Sequence, residues 1–431
     1  MRRLYSAVLY FLVPLVFLRL VLSGFRNPEY WKRWRERFGH TPPLDDERPV
    51  IWIHAVSVGE VHATKPLVSR LQRDYPEYQI LITTMTPTGA VSVRQNYNNS
   101  VSHRYLPYDL PGSVGRFLET IKPRLLIVME TELWPNLFYC CRKNRVPAIL
   151  VNGRMSEISR KGYARFSRLA RETLSNLSLI LAQTRADADR FVSLGASESI
   201  VSVIGNLKFD IRLPHSITEQ AEALRRQLSV NRPVWIAAST HEGEEKIILN
   251  AFGKVLESQP HCLLIIAPRH PERFNTVIEI AEKAGYETRR KSRGIDCPPQ
   301  VRVFVLDSLG ELPVFYAASD IAFIGGSLVR NGGHNMLEPA SLGLAVLTGP
   351  HIYNFMEISE LLEECGAACK IHTADELARQ VTRFLADANL RHSSGEKGRK
   401  MVADNRGSSE RLMTFLQPFL EKDATSRRKI I

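Results

Sequence analysis

The sequence is poor in cysteine, and its few cysteines form no pattern. Six occur, at Cys140, Cys141, Cys262, Cys297, Cys365 and Cys369, and none makes a C-x-x-C pair. That scatter offers no disulfide framework and suits reduced thiols in a reducing compartment. The adjacent Cys140 and Cys141 read as buried helix residues. No long Lys/Arg block carries interleaved aromatics and no nucleic-acid motif is present, so nucleic acid is not an expected partner. Neither a Walker A loop nor G-x-G-x-x-G occurs. A zinc reading at His241-Glu242 fails because Glu245 stands where H-E-x-x-H needs its second histidine. No segment repeats another.

What is present is enough for more than one core. A chain of 431 residues suggests two or three domains. With 44% hydrophobic and 24% charged residues it has the balance of a folded globular protein. Lys+Arg number 57 against 45 Asp+Glu, a net charge of +12 that favours anionic partners. An acidic lipid surface, or a phosphorylated or carboxylated small molecule, ranks first.

The amino-terminal stretch MRRLYSAVLYFLVPLVFLRLVLSG is apolar from Leu4 to Leu22, broken by Ser6, Pro14 and Arg19. Its uncharged part, Leu4 to Leu18, makes a helix about 22 Å long, short of a ~30 Å hydrocarbon core unless Arg19 snorkels. A cleaved signal peptide is the alternative, but no clear A-x-A site follows. WKRWRERF (Trp31 to Phe38) suits an anionic headgroup layer. The expectation is a retained transmembrane or interfacial anchor at residues 1–39. More positive charge follows the apolar run than precedes it, which puts the bulk of the chain in the cytoplasm.

Thereafter short, nearly continuous apolar runs alternate with helical patterns: PVIWIHAV, QILITT, HRYLPY, RLLIVME, PAILVN, LILAQT and VSVIGN, then PVWIAAST, CLLIIAPR, VRVFVLD, IAFIGG, AVLTG and AACKI. Such runs indicate parallel strands covered on both faces. NLKFDIRLPHSITEQAEALRRQL reads as a linker entering a helix. The predicted fold is α/β, with two doubly wound Rossmann-like domains at 40–212 and 213–410 and a carboxy-terminal helix and basic tail at 411–431. Ligands in such sheets bind beyond the carboxyl ends of the strands, and every motif below falls at such an end.

After the first strand, Ser57-Val58-Gly59-Glu60 fits a capping box and equally a general base that takes a proton from an attacking hydroxyl. VMETELWPN places Glu130 and Glu132 at a turn, and NGRMS (Asn152 to Ser156) ends the next strand. GNLKFD brings Lys208 to the edge of the expected cleft, where it can steady negative charge. In the second half, AASTHEGEE reads as a Ser-Thr turn able to hold a phosphate. APRHPER sets Arg269 and His270 after a strand, and DSLGEL is a loop with Gly310 and Glu311. The richest run is FIGGSLVRNGGHNMLEPA. Its four glycines let backbone approach a ligand, and a helix opens at HNMLEPA. The D-x-D of Asp187-Ala188-Asp189 lies in a helical pattern and reads as solvated surface.

HAVSVGEV, ETELWPN, NGRMS, GNLKFD, APRHPER and GGSLVRNGGHNMLEPA together resemble the Kdo (3-deoxy-D-manno-octulosonic acid) transferases of lipopolysaccharide synthesis, which are B-type glycosyltransferases. The resemblance runs from the anchor almost to the carboxyl terminus. It implies inverting, metal-independent transfer of Kdo from CMP-Kdo to a lipid A precursor (lipid IVA), with more than one Kdo added and no cofactor. On the matching positions it implies Glu60 as proton acceptor and Glu130 and Lys208 as transition-state stabilisers. CMP is then expected on Pro268, Arg269, Leu309, Gly310, Glu311, Asn335, Met336, Leu337 and Glu338. The implied location is the bacterial inner membrane, anchored through the amino terminus, with the catalytic domains on the cytoplasmic side. The rival readings are another nucleotide-sugar transferase or an epimerase of the same fold, and a membrane-bound binding protein with a dead cleft.

Overall fold

The computed structural model describes residues 1–211, 213–214, 216–228 and 232–421. The expected basic tail beyond residue 421 lies outside the described residues. The chain divides into two compact units. One comprises Met1–Asp210 together with the described residues from Arg406 onward, and the other Ile211–Asn405.

The first unit is a seven-stranded parallel sheet of β1 (Val50–His54), β2 (Gln79–Thr84), β3 (Ser102–Tyr105), β4 (Pro123–Met129), β5 (Ala148–Gly153), β6 (Leu179–Ala182) and β7 (Val201–Val203). Its order is β3-β2-β1-β4-β5-β6-β7. The central strands are buried on both faces, as their continuous apolar sequences require. In register, Trp52 of β1 lies between Leu81 and Leu126, and its indole N–H donates to Thr83 Oγ1 at 2.8 Å. Alternate residues feed two cores. Ile51, Ile53, Ile127 and Val151 pack on one face, and Trp52, Leu126, Val128 and Leu150 on the other. The strand order reverses between β1 and β4, so the crevice at their carboxyl ends is a topological switch point.

The first core is completed by the far end of the chain. The helix Ser408–Leu420 buries Leu412, Met413, Leu416 and Leu420 among the residues of β1, β2 and β4. The chain rejoins this unit at Arg406, and the helix expected from 411 begins at Ser408. The reason is Asp210, whose carboxylate accepts Gly407 N–H at 2.7 Å and also Ser409 N–H, tying the outgoing and returning strands of chain together. Tyr78 Oη donates to the Leu420 carbonyl at 2.8 Å.

The second unit is another seven-stranded parallel sheet: β8 (Val234–Thr240), β9 (Leu263–Pro268), β10 (Thr288–Arg290), β11 (Val303–Val305), β12 (Ile321–Ile324), β13 (Ala345–Thr348) and β14 (Ala368–Lys370). The order β10-β11-β9-β8-β12-β13-β14 puts its switch point between β8 and β12. β10 has no counterpart among the expected strands. It is three residues long, polar and at the sheet edge, so it carries no apolar signal.

Leu416 is fully buried. Leu416→Ala should lower the unfolding free energy by about 2–5 kcal/mol, read by urea denaturation, although the residue lies far along the chain from the strands it supports.

Candidate active site

At the first unit's switch point, β1 runs into a turn that opens the helix Val58–Ala63. Ser57 caps that helix, accepting Glu60 N–H, and its hydroxyl returns a bond to Glu60 Oε1 at 3.0 Å. Glu60 Oε2 accepts Val56 N–H at 2.8 Å. The Ser57 cap is therefore formed, with Glu60 reaching Val56 N–H in place of the cap residue's own, and the same bonds fix the orientation of the carboxyl group. Glu60 is buried, with 8% exposure. Burial pushes its pKa up to about 7, and the charge of Glu130 adds to the push. Capping and proton transfer are thus compatible at this residue.

Glu130 follows β4 in the left-handed region, at φ 56°, with its N–H donated to the Val151 carbonyl of β5. Its carboxylate meets Lys208 Nζ at 3.1 Å. Lys208 reaches that point on a turn organised by two asparagines. Asn152 Oδ1 accepts Leu207 N–H and Asn206 Oδ1 accepts Lys208 N–H, both at 3.0 Å. The NGRMS and GNLKFD motifs are therefore parts of one support. Glu132, two residues from Glu130, is also pushed up to about 7 by burial and by the Glu130 charge. Three carboxylates and one ammonium thus share the end of β1 and β4.

Asp187 departs from its expected exposure. It is buried, accepting Met155 N–H at 2.8 Å and the Thr184 hydroxyl at 2.5 Å, so it pins the NGRMS turn. Its companion Asp189 is exposed and paired with Arg185. The two point apart, as residues two apart on a helix must.

In the second unit the three expected donor stretches follow the carboxyl ends of β9, β11 and β12. Pro268 ends β9, and Arg269 follows with its N–H on the Thr240 carbonyl at 3.0 Å. Leu309 is exposed and Gly310 takes φ 86°. The Glu311 carboxylate is held by Lys291 Nζ at 2.6 Å and by the Ser308 hydroxyl, which keep its pKa below the usual range. After β12, Asn335 Oδ1 accepts Leu337 N–H at 3.0 Å while its amide donates to Glu338 Oε1 at 3.1 Å. Met336 and Leu337 are buried, so only their backbone can face a ligand. Asn335 and Glu338 remain half-buried.

The Gly-rich turn is built differently from the expectation. The N–H groups of Gly326, Ser327 and Leu328 form a nest of the kind that binds anions, but Glu244 fills it. That buried carboxylate accepts all three at 2.7–3.0 Å and also His241 N–H at 2.9 Å. In the Ser-Thr turn the Thr240 hydroxyl is committed to Glu245. The glycines serve protein contacts: a Cβ on Gly325 would lie 2.5 Å from the Ser239 carbonyl oxygen, and one on Gly332 would lie 2.3 Å from the Asn354 side chain. Sequence reading missed a further group. The rings of His241 and His334 stack at the β8/β12 switch point with their Nε2 atoms 2.8 Å apart, and His270 packs edge-on against His241. Burial, then the His270 and Arg269 charges, lower the pKa of His241 to about 4, so the ring is neutral at pH 7. The HEGEE string was the signal, and its failure to fit zinc spacing hid it.

The family model described as 3-Deoxy-D-manno-octulosonic-acid transferase (kdotransferase) matches residues 32–211, and that described as Glycosyl transferases group 1 matches residues 235–401. The chain is similar to the 3-deoxy-D-manno-octulosonic acid transferase of Haemophilus influenzae, at 40% identity over 98% of this chain and 99% of the relative. It is similar to that of Bordetella pertussis at 34% identity, over 97% and 99%. The UDP-GlcNAc 2-epimerase of Neisseria meningitidis, solved with UDP-GlcNAc, aligns with 86% of this chain and 100% of its own at a TM-score of 0.55. Its 14% identity makes that a likeness of fold alone.

Because Glu60 titrates near 7 when folded and near 4.5 when not, the native state holds the extra proton between those values. Glu60 therefore lowers stability progressively as pH rises from about 4.5 to 7. Glu60→Gln should raise Tm at pH 8 and leave it nearly unchanged at pH 4.5, by thermal melts at both.

Proposed function

The chain belongs to the 3-deoxy-D-manno-octulosonic acid transferase family, and on that premise we propose how its two units divide a glycosyl transfer. It is a glycosyltransferase of lipopolysaccharide synthesis, with the two doubly wound domains of the B-type fold. In the proposed reaction the donor is CMP-Kdo and the acceptor a hydroxyl of the lipid A precursor, lipid IVA. Glu60 takes the proton of that hydroxyl as its oxygen bonds to the Kdo anomeric carbon. The bond from that carbon to the cytidylate oxygen breaks with its electron pair, CMP leaves, and the centre inverts.

The observation that carries this reading is the Glu60 carboxyl, oriented by Ser57 and Val56 and poised near neutrality by burial. A general base works best with a pKa near the working pH. Lys208, held by Glu130, supplies positive charge that offsets charge accumulating on the leaving phosphate. Glu130 in turn keeps Glu60 basic. In the second unit, the backbone of Pro268, Arg269 and Leu309 to Glu311 and the turn from Asn335 to Glu338 form the proposed nucleotide seat. In this proposal the Arg269 guanidinium serves the phosphate and Glu338 accepts the ribose hydroxyls. The Glu244-filled nest moves that seat away from the Gly326 turn. The mechanism assigns no step to a metal. The apolar amino-terminal helix and the net positive charge support attachment to the cytoplasmic face of an inner membrane, where the acceptor lies. Addition of a second Kdo needs only that the first product re-enter as acceptor.

Incubation with CMP-Kdo and lipid IVA, with products weighed by mass spectrometry, tests the donor, the acceptor and the number of Kdo units together. Turnover with UDP-sugars in place of CMP-Kdo would favour the epimerase or alternative-transferase reading. Glu60→Gln should reduce kcat by about 10²–10⁴-fold while CMP affinity by calorimetry stays unchanged; near-wild-type turnover removes Glu60 as the base. For the wild type, kcat/KM should rise as pH passes through about 7, and excess EDTA should leave the rate unaltered.

A further inference from the structure

The helix Arg2–Arg26 is long and apolar enough to cross a membrane, yet both of its ends are fastened to the same globular unit. At the start, the amino-terminal ammonium lies 3.5 Å from Glu172, and Arg2 N–H donates to the same carboxylate at 3.2 Å. The Arg2 guanidinium donates to Asn136 Oδ1 at 3.0 Å and covers the Tyr139 ring. Ser6 Oγ reaches Asn136 Oδ1 at 2.9 Å in a buried bond. Asn136 is held in turn by Asp109, which caps the helix Pro135–Lys143. Farther along, Gly112 N–H donates to Tyr10 Oη at 3.2 Å.

At the other end, the Trp31 indole N–H donates to the Val21 carbonyl at 3.1 Å. Phe17 packs on Trp34, Trp34 on Phe38, and Phe38 on Tyr108, which follows β3. Tyr108 N–H donates to the Arg37 carbonyl at 2.7 Å, and Glu36 accepts Tyr105 N–H at 2.9 Å. A helix of 25 residues is about 37 Å long. Were it to span, one of these two sets of contacts would have to sit on the far side of the bilayer from the body of the unit.

The helix is also two-sided. Arg2, Ser6, Leu9, Val13, Val16, Leu20 and Gly24, spaced by three or four, are all buried or half-buried. Leu4, Val8, Phe11, Leu15, Leu18, Leu22 and Phe25, with the same spacing, form the opposite stripe and are exposed, Phe11 by 83%. At 100° per residue Arg3 and Arg19 fall along the two borders of that stripe, and both are exposed. Trp31, Lys32, Trp34 and Arg35 continue it with exposed aromatic and cationic side chains. An exposed apolar strip bordered by cations that can snorkel, and followed by tryptophans, has the side chains that sit where acyl chains meet anionic headgroups.

We infer that this helix lies in the plane of an anionic lipid surface, its Leu4-to-Phe25 stripe in the acyl boundary and both of its ends on the side of the globular body. The inference rests on the membrane attachment proposed above and replaces a crossing helix by a monotopic one. Full-length protein with an epitope at each terminus, probed by protease in spheroplasts and in inside-out vesicles from the same cells, decides it. Both epitopes should be removed from inside-out vesicles and neither from spheroplasts. Removal of the amino-terminal epitope from spheroplasts overturns the in-plane helix. Flotation of purified protein with phosphatidylethanolamine–phosphatidylglycerol vesicles tests the attachment itself: the wild type should float, and failure to do so defeats the membrane reading separately. The variant Phe11→Ser/Leu15→Ser/Leu18→Ser, checked for an unchanged Tm, should lose flotation by roughly tenfold or more. Undiminished flotation shows that another surface docks.

Discussion

A parallel sheet buried on both faces leaves little besides the ends of its strands for meeting a ligand. Both units obey that constraint, and the polar side chains central to the proposed chemistry cluster where it leaves room. In the first unit the order reverses between β1 and β4, and Glu60 and Glu130 follow those two strands. In the second the reversal is between β8 and β12, and His241 and His334 meet there. Strand order thus selects which side chains become neighbours across large separations in sequence.

Two buried glutamates show how local bonding decides what a carboxylate can do. Glu244 accepts four backbone N–H groups and is fully buried; burial pushes its pKa up, the four bonds push it back down, and together they lock a turn. Glu60 accepts one backbone N–H and one hydroxyl, and it has other carboxylates for company. Fewer donors and a like charge nearby leave its proton in balance near neutrality. Burial raises the pKa of both; the number of compensating donors and the nearby like charge separate a carboxyl spent on holding a turn from one with room to meet a substrate proton.

The strands were legible because runs such as VIWIH and LLIVM are apolar without interruption, the mark of coverage on both faces. β10 was not, since three polar residues at a sheet edge bury too little to leave a pattern. Glu60, Glu130 and Lys208 could be singled out from their places after strands, but their grouping depends on the β1–β4 adjacency, which no local string encodes. Glycine content pointed to the turn after β12, yet it did not say whose oxygen would occupy the nest. That depended on Glu244, some eighty residues earlier in the chain. Likewise Asp187 looked like helix surface because its partner, Met155 N–H, belongs to a different motif. Apolar content marked the first helix, whereas the fastening of both its ends emerged only from tertiary contacts.

The amino-proximal unit takes part of its core from the last described helix, Ser408–Leu420. On a ribosome the order of emergence is therefore the reverse of the order of completion. The segment Ile211–Asn405 has all its strands available while the earlier sheet's core still lacks Leu412, Met413, Leu416 and Leu420 and leaves open the apolar patch they fill. Emergence of Ser408–Leu420, rather than synthesis of β7, is the moment at which the first core can close. Until then the waiting patch is a natural landing place for a chaperone, and a ribosome stalled short of codon 408 would leave it open.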